Sequence, residues 1–341
     1  MKDNKQLVLN IFISILVLAV IGVGLLVVFR SQENDTISAE EVMEQAANQT
    51  EAVEKWQEGD ITYNGKKYRY NASVKAYLFL GIDKEGTMEE TTGGLVGGQS
   101  DAMFVLITNA EAETISILSI NRNSMTMVDK YDFRDYHMGQ EKLQICLQHA
   151  YGEGGRESCL RTVDTVSRFL YGVPINGYFS MNMDGISILN DAVGGVTVTV
   201  MDDLENKGLG VSLKKGETVN LTGKEAYVYI RSRDINEFDS ASRRLERQNQ
   251  YLLSLFGRIK DLALGNEATI AKVSEMMEDY LVTSIDFVKL AEDASEYAFD
   301  ESHMYNVPGE TVMGEKYEEY YVDEDALYEM ILELFYNEVE E

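Results

Sequence analysis

The chain has 341 residues, of which 45% are hydrophobic and 26% charged, and only two are prolines; this supplies enough apolar material for a sizeable core and excludes a disordered or Pro-rich protein. Its 58 acidic residues outnumber 30 basic ones, so the formal net charge is -28. A protein this acidic is repelled by nucleic acid and by anionic headgroups, which excludes nucleic acid as a partner.

Leu7 to Phe29 is apolar apart from Asn10. At about 1.5 Å rise per residue such a helix crosses the roughly 30 Å of bilayer hydrocarbon, so one transmembrane anchor is predicted. No small-residue cleavage site follows it, as a signal peptide would need. Lys2 and Lys5 put residues 1–6 in the cytoplasm and everything after the span outside, although Arg30 pulls the other way. Residues 30–65, rich in Glu, Gln, Asn and Ala, read as an extracellular stalk, and the globular part is expected to begin near Lys66.

Tyr77–Ile82 is a short apolar run ending at Asp83, the pattern of a strand buried on both faces. Lys84–Ser100 holds five glycines and reads as a flexible loop. Ala102–Thr108 and Thr114–Ile120 are two further strands. Asp83, Asp101 and Arg122 therefore fall at or just beyond strand ends, where α/β proteins usually carry their sites. Gln140–Ala150 and Glu157–Tyr171 have helical spacing, with Gly152, Gly154 and Gly155 as the break between them. Tyr178–Met183 and Gly195–Val200 are predicted strands on either side of a helix ended by Gly194. Thr222-Gly-Lys-Glu225 fits a capping box. Helices are expected over Arg244–Leu264, Ala268–Tyr280, Ser284–Ala298 and Glu324–Val339.

Tyr229–Gln250 holds five of the thirteen arginines: Arg231, Arg233, Arg243, Arg244 and Arg247. If Arg231 and Arg233 lie in extended chain, both leave the backbone on one side. Arg244, Arg247 and Gln248 share one face of a helix capped by Asp239 or Ser240. Such a group either forms a fork-shaped receptor for phosphate or carboxylate oxygens, or is a solvated patch paired with Asp234, Glu237, Asp239 and Glu246. Asp83 and Asp101 as turn caps, Arg122 in a surface pair and Lys142 in solvent are the corresponding structural readings. Cys146 and Cys159 either close a disulfide outside the membrane or are two buried small side chains. His137, His149 and His303 show no metal-ligand spacing.

The order LGID, SDAMFVLI, ILSINRNSM, HAYGEGG, YGVPINGYFSMN, DAVGGVTVTV, LTGKEAYVYIRSR and RRLERQ behind one N-terminal anchor resembles the LytR-CpsA-Psr family of membrane-anchored cell-wall enzymes. The resemblance covers roughly Ala76–Gln250. It implies an α/β fold with a central, mainly buried sheet flanked by helices, a catalytic domain over residues 66–260, and a helical C-terminal part, 261–341, packed on it. It also implies a phosphotransferase that moves a glycopolymer from a polyprenyl diphosphate carrier to peptidoglycan, leaving a phosphodiester link, with Mg²⁺. By position, Asp83 and Asp101 would hold the metal, with Asp101 and Arg122 catalytic. Arg122, Arg231, Arg233, Arg244 and Gln248, with Lys142 at the start of the helix ending in HAYG, would grip the diphosphate.

Two departures stand out. The family commonly has Arg-Ser-Asp where this chain has Gln99-Ser100-Asp101, and Pro-Arg-Asp where it has Asn121-Arg122-Asn123. They keep open a catalytically silent protein that binds or scaffolds lipid-linked polymer, and a pyrophosphatase releasing the carrier is a further alternative. Under the transferase reading, Asp101→Ala or Arg122→Ala abolishes transfer while the protein stays folded.

Overall fold

The alternation in VKAYLFLGI builds the centre of the main sheet. Ala76, Leu78, Leu80 and Ile82 point to one apolar layer, while Tyr77 and Phe79 point to another. This computed structural model describes residues 60–87, 96–234, 236–265, 267–293 and 295–339. The predicted cytoplasmic tail, the anchor Leu7–Phe29 and nearly all of the stalk lie outside the described residues. Among those described, no helix is long and apolar enough to cross a membrane.

Strands β1 (Ile61–Tyr63) and β2 (Lys66–Tyr70) open the fold, so the last residues assigned to the stalk are sheet rather than linker. Then come β3 (Val74–Ile82), β4 (Ser100–Asn109), β5 (Thr114–Ser119), β6 (Met125–Tyr131) and β7 (His137–Gln144). A short α1 (Leu147–Ala150) and α2 (Arg156–Phe169) precede β8 (Ile175–Asn182), α3 (Met183–Ala192) and β9 (Val196–Thr199). Strands β10 (Leu204–Asn206), β11 (Val211–Leu213) and β12 (Thr218–Leu221) lead to α4 (Gly223–Arg231) and the long α5 (Ser240–Gly265). The remainder is α6 (Glu267–Met277), β13 (Leu281–Thr283), α7 (Phe287–Asp293), β14 (Met304–Asn306), β15 (Gly309–Met313), β16 (Glu318–Val322), α8 (Glu324–Phe335) and β17 (Tyr336–Val339).

The central sheet has the order β13-β8-β3-β4-β5-β14, mixing parallel and antiparallel pairs. On one side, Met103, Val105 and Ile107 pack with Val166 of α2, with Leu170 just beyond that helix, and with Leu327, Ile331 and Phe335 of α8. On the other, Phe104 and Leu106 meet Leu245, Leu252 and Phe256 of α5. Period-two alternation in strands thus meets period-3.6 stripes in helices on both faces, giving the expected three layers. The capping box at Thr222 forms as expected.

Two expectations are corrected. Residues 261–341 are not simply helical: β13 and β14 close the two edges of the central sheet, and β17 pairs with β2. Each of these strands is three or four residues long, too short to carry a periodic signal. Residues 140–144 are not helical either, but form a hairpin with β6 in the register Met127↔Lys142. The turn explains it: the Asp132 carboxylate accepts from the backbone N–H of Arg134 and of Tyr136, both at 2.9 Å, and long-range pairing overrides the helical preference of HMGQEKLQ.

Candidate active site

Antiparallel pairing brings three distant points of the sequence to one edge of the sheet. The end of β3, the start of β4 and the end of β5 coincide, as the bonds Asp83 N–H to Gln99 C=O at 2.9 Å and Ile120 N–H to Met103 C=O at 3.0 Å record. Asp83, Asp101 and Arg122 follow from that geometry. The capping box starts α4 so that it ends at Arg231, and the first three turns of α5 carry Arg244 and Gln248 to the same edge. Asp239 precedes α5 and its carboxylate accepts from Ser242 Oγ at 2.5 Å and from Thr311 Oγ1 at 2.6 Å, which fixes where the helix begins.

At the centre, Asp101 lies between two guanidiniums. Its Oδ1 pairs with Arg122 Nη1, and its Oδ2 accepts from Arg244 Nη1 at 2.9 Å. Asp101 is 8% exposed, Arg122 9% and Arg244 3%. Two buried guanidiniums against one carboxylate leave a positive charge in excess, and Nε of both arginines finds no acceptor among the described residues. Burial pulls the Arg244 guanidinium below its ordinary value, with Arg122 and Arg233 adding repulsion against the opposing pull of Asp101. Burial also pulls on Arg122, but its neighbours, Asp101 among them, outweigh it and leave the group raised. A buried surplus of positive charge with unused N–H donors is a receptor for an anion.

Arg231 lies further out, 3.1 Å from Asp83 Oδ1 and 3.8 Å from Glu85 Oε1, with Tyr227 hydroxyl also on its guanidinium. The expected extended pair is corrected here. Arg231 is the last residue of α4, and Arg233 beyond it is exposed with no ion pair among the described residues. Gln248 is held by its amide, Nε2 donating to Ile230 C=O at 3.1 Å. Arg247 belongs to the scaffold: it ties α5 to the end of α4 through Tyr229 C=O at 3.0 Å and pairs with Asp202 at 2.6 Å. Arg243 pairs with Glu237 at 2.7 Å.

Lys142 is not at the start of a helix. It stands on β7 with Nζ 5.0 Å from the centre of the Tyr321 ring, sharing no partner with Arg122 or Arg244 among the described residues. Asn123, at the other departure, is structural: its carboxamide oxygen accepts from Gln144 Nε2 at 3.1 Å and its C=O from Tyr320 N–H at 2.9 Å, tying the two hairpins together. The two cysteines are free and buried, with no disulfide. Sequence reasoning missed what Cys146 does. Its sulfur lies 3.1 Å from Arg122 Nη2, which also donates to Gln99 Oε1.

Beneath the Gln99 loop sits His149, fully buried, with Nδ1 3.1 Å from Gly98 C=O and Nε2 3.8 Å from Cys159 Sγ. Gly97 allows this approach, since a Cβ there would stand 2.2 Å from the His149 carbonyl oxygen. Burial holds His149 neutral by lowering its pKa from 6.5 to about 4. A folded-state value depressed below the unfolded one contributes stability that is present above pH 6.5 and lost as pH falls through 4. His149→Gln is therefore expected to flatten the acid limb: between pH 7 and 4.5 the wild type should lose about 2–3 kcal/mol more unfolding free energy than the variant in urea titrations. Equal losses would show that His149 is protonated in the fold.

An apolar cavity of about 260 Å³ opens from the arginines into the space between sheet and helices. Phe79, Phe104 and Phe179 form its sheet wall, and Tyr251, Leu252 and Leu255 of α5 its roof, with Arg231, Arg244 and Gln248 among its lining. On the next face of α5, Ser240, Arg243 and Arg247 line a polar cleft that also holds Arg233. One helix therefore separates an apolar chamber from a polar one, with the cations at the divide. No cluster of three or more His, Cys, Asp or Glu suited to a metal occurs among the described residues.

The profile of the LytR_cpsA_psr family matches residues 33–335. The chain is 30% identical over 213 residues to the polyisoprenyl-teichoic acid–peptidoglycan teichoic acid transferase TagV of Bacillus subtilis, a match covering 61% of this chain and 49% of that protein. It is 35% identical over 156 residues to the enzyme of the same description, TagU, of Halalkalibacterium halodurans, covering 46% and 44%. The chain thus spans about half the length of these relatives. The crystal structure of B. subtilis TagV superposes with a TM-score of 0.59 at 26% identity, covering 77% of this chain and 96% of that one.

Proposed function

From its membership of the LytR-CpsA-Psr family, to which this chain belongs, we propose that the protein transfers a glycopolymer of the teichoic acid type from a polyprenyl diphosphate carrier to peptidoglycan, outside the cell and anchored by Leu7–Phe29. The observation that carries this reading is the buried, positively charged Asp101–Arg122–Arg244 cluster at the mouth of an apolar cavity. An amphiphile whose two halves are joined by a diphosphate matches that sequence of environments. Its prenyl chain takes the cavity and its diphosphate accepts from the two unused Nε–H groups and from Arg231 and Arg233. Its sugars take the polar cleft.

The acceptor hydroxyl attacks the phosphorus next to the sugar, the P–O bond to the prenyl phosphate breaks, and a phosphodiester forms. Negative charge grows on the equatorial and leaving oxygens, where Arg122 and Arg244 already stand, so the site needs no reorganisation as the barrier is crossed. Both oxygens of Asp101 are engaged by guanidiniums, whereas Asp83 is half exposed with one close cation, so Asp83 is the carboxylate for the acceptor's proton. The donor set suits Mg²⁺ shared with phosphate oxygens: two carboxylates stand at adjacent strand ends, and among the described residues no group of three or more acids, His or Cys closes a protein-only site. Asp83 and Asp101 would hold it through lone pairs that their guanidinium partners leave free, and it would supply further neutralisation of the phosphate charge.

Incubating the detergent-solubilised full chain with a polyprenyl diphosphate-linked disaccharide, Mg²⁺ and a peptidoglycan oligomer should yield a phosphodiester-linked product and polyprenyl phosphate. Tight binding of the donor without turnover would instead favour a silent carrier-binding protein, the reading that Gln99 and Asn123 keep open. Release of the disaccharide as a phosphate to water would identify a pyrophosphatase.

A further inference from the structure

We propose that Gln99 and Cys146 are positioning residues for Arg122, holding its guanidinium plane through uncharged acceptors so that its positive charge stays available to the ligand. Arg122 Nη2 donates to Gln99 Oε1 and lies 3.1 Å from Cys146 Sγ, while Gln99 Oε1 and Cys146 Sγ are themselves 3.9 Å apart. Nη1 takes Asp101 and Nε remains without an acceptor. Both terminal nitrogens are thereby engaged, and Nε is left for an incoming oxygen.

The chemistry of the two holders fits the task. A carboxylate at either position would complete a second ion pair and cancel the surplus charge of the cluster, whereas an amide oxygen and a neutral sulfur orient a guanidinium without neutralising it. Burial raises the Cys146 thiol, against the opposing pull of Arg122, so it stays uncharged. Gln99 is kept in reach by the loop seated on His149, and Cys146 by its backbone N–H donating to Arg122 C=O at 3.3 Å. The Gln99 departure from the family's usual arginine thus changes the role of the position. A guanidinium there would offer Arg122 no acceptor and would stand like-charged against it.

The inference rests on the diphosphate reading only for its binding readout; the other readout is independent of it. The first probe is inorganic pyrophosphate with Mg²⁺, titrated calorimetrically into the full chain. Gln99→Leu and Cys146→Ala should each weaken binding about tenfold, the scale of one hydrogen bond to a charged group. Cys146→Ser, which keeps an acceptor, should stay within about twofold of wild type. Gln99→Arg should also weaken binding despite its added charge. The second readout is rotation of the Arg122 guanidinium by ¹⁵N exchange NMR, with its signals identified by their loss in Arg122→Lys. Rotation should be slow in the wild type and in Cys146→Ser, and fast in Gln99→Leu. Unchanged rotation in Gln99→Leu, or tighter pyrophosphate binding by Gln99→Arg, would overturn the proposal. No pyrophosphate binding by the wild type, with rotation changing as stated, would count against the diphosphate reading and leave the positioning role supported.

Discussion

Asp101→Ala is expected to abolish transfer and to destabilise the protein at the same time. Reading the aspartate as a metal ligand at a strand end leads to a folded, inactive variant. The geometry changes that expectation, because Asp101 is the counter-charge of Arg122 and Arg244, both at most 9% exposed. Removing it leaves two like charges buried without a partner, and breaking a buried pair in this way typically costs about 3–5 kcal/mol. Arg122→Ala removes one of the two cations and leaves Asp101 paired with Arg244, so the fold should suffer less, while loss of one oxyanion-type donor lowers turnover by about 10²–10³-fold. Thermal unfolding beside a transfer assay separates the two variants. A stable, inactive Asp101→Ala would mean that the arginines are not held by this carboxylate.

Ala102→Phe gives the second large effect, on the lipid rather than on the diphosphate. Ala102 faces the apolar cavity from β4, one residue from Asp101, so a phenyl group there fills space beside the cations. Each prenyl methylene excluded forfeits about 0.8 kcal/mol of burial, so shutting out even a few carbons should weaken polyprenyl diphosphate binding by about 10²-fold or more. Inorganic pyrophosphate, which has no tail, should bind the variant as it binds the wild type. Equal loss for both probes would show that the substitution disturbed the arginines instead, and no loss for either would show that the lipid does not use this cavity.

Both predictions depend on parts of the molecule that differ in how far the sequence reveals them. The apolar runs of β3, β4 and β5 are long enough to be read, and Asp83, Asp101 and Arg122 at their ends mark a candidate site before any fold is known. The mixture of strands and helices follows from the same patterns, whereas the central sheet flanked by helices came from the family resemblance, and the capping box at Thr222 fixes the delivery of Arg231. Short edge strands such as β13 and β14 leave no such trace, because three residues make no pattern and their pairing is decided by the partner. The β6–β7 hairpin is hidden for a related reason: Gln140–Gln144 have helical spacing, and only cross-strand pairing 15 residues away, as between Met127 and Lys142, makes them a sheet. Lys142 went with the helix it was assigned to.

Residue types and order by themselves determined that this chain has a cation cluster, strand-end acids and a buried sheet, since composition and periodicity are properties of the chain alone. Which arginines gather at the buried carboxylate was decided by tertiary structure. Arg244 and Arg247 are three residues apart on one helix; the first shares a buried carboxylate with Arg122, and the second clamps α4 through Tyr229. Spacing gives a side chain its face on a helix, but what that face meets depends on other segments, 143 residues away for Arg244 and Asp101 and 18 away for Arg247 and Tyr229. The same holds for Cys146, which is a small apolar residue in sequence and a neutral acceptor for Arg122 in the fold.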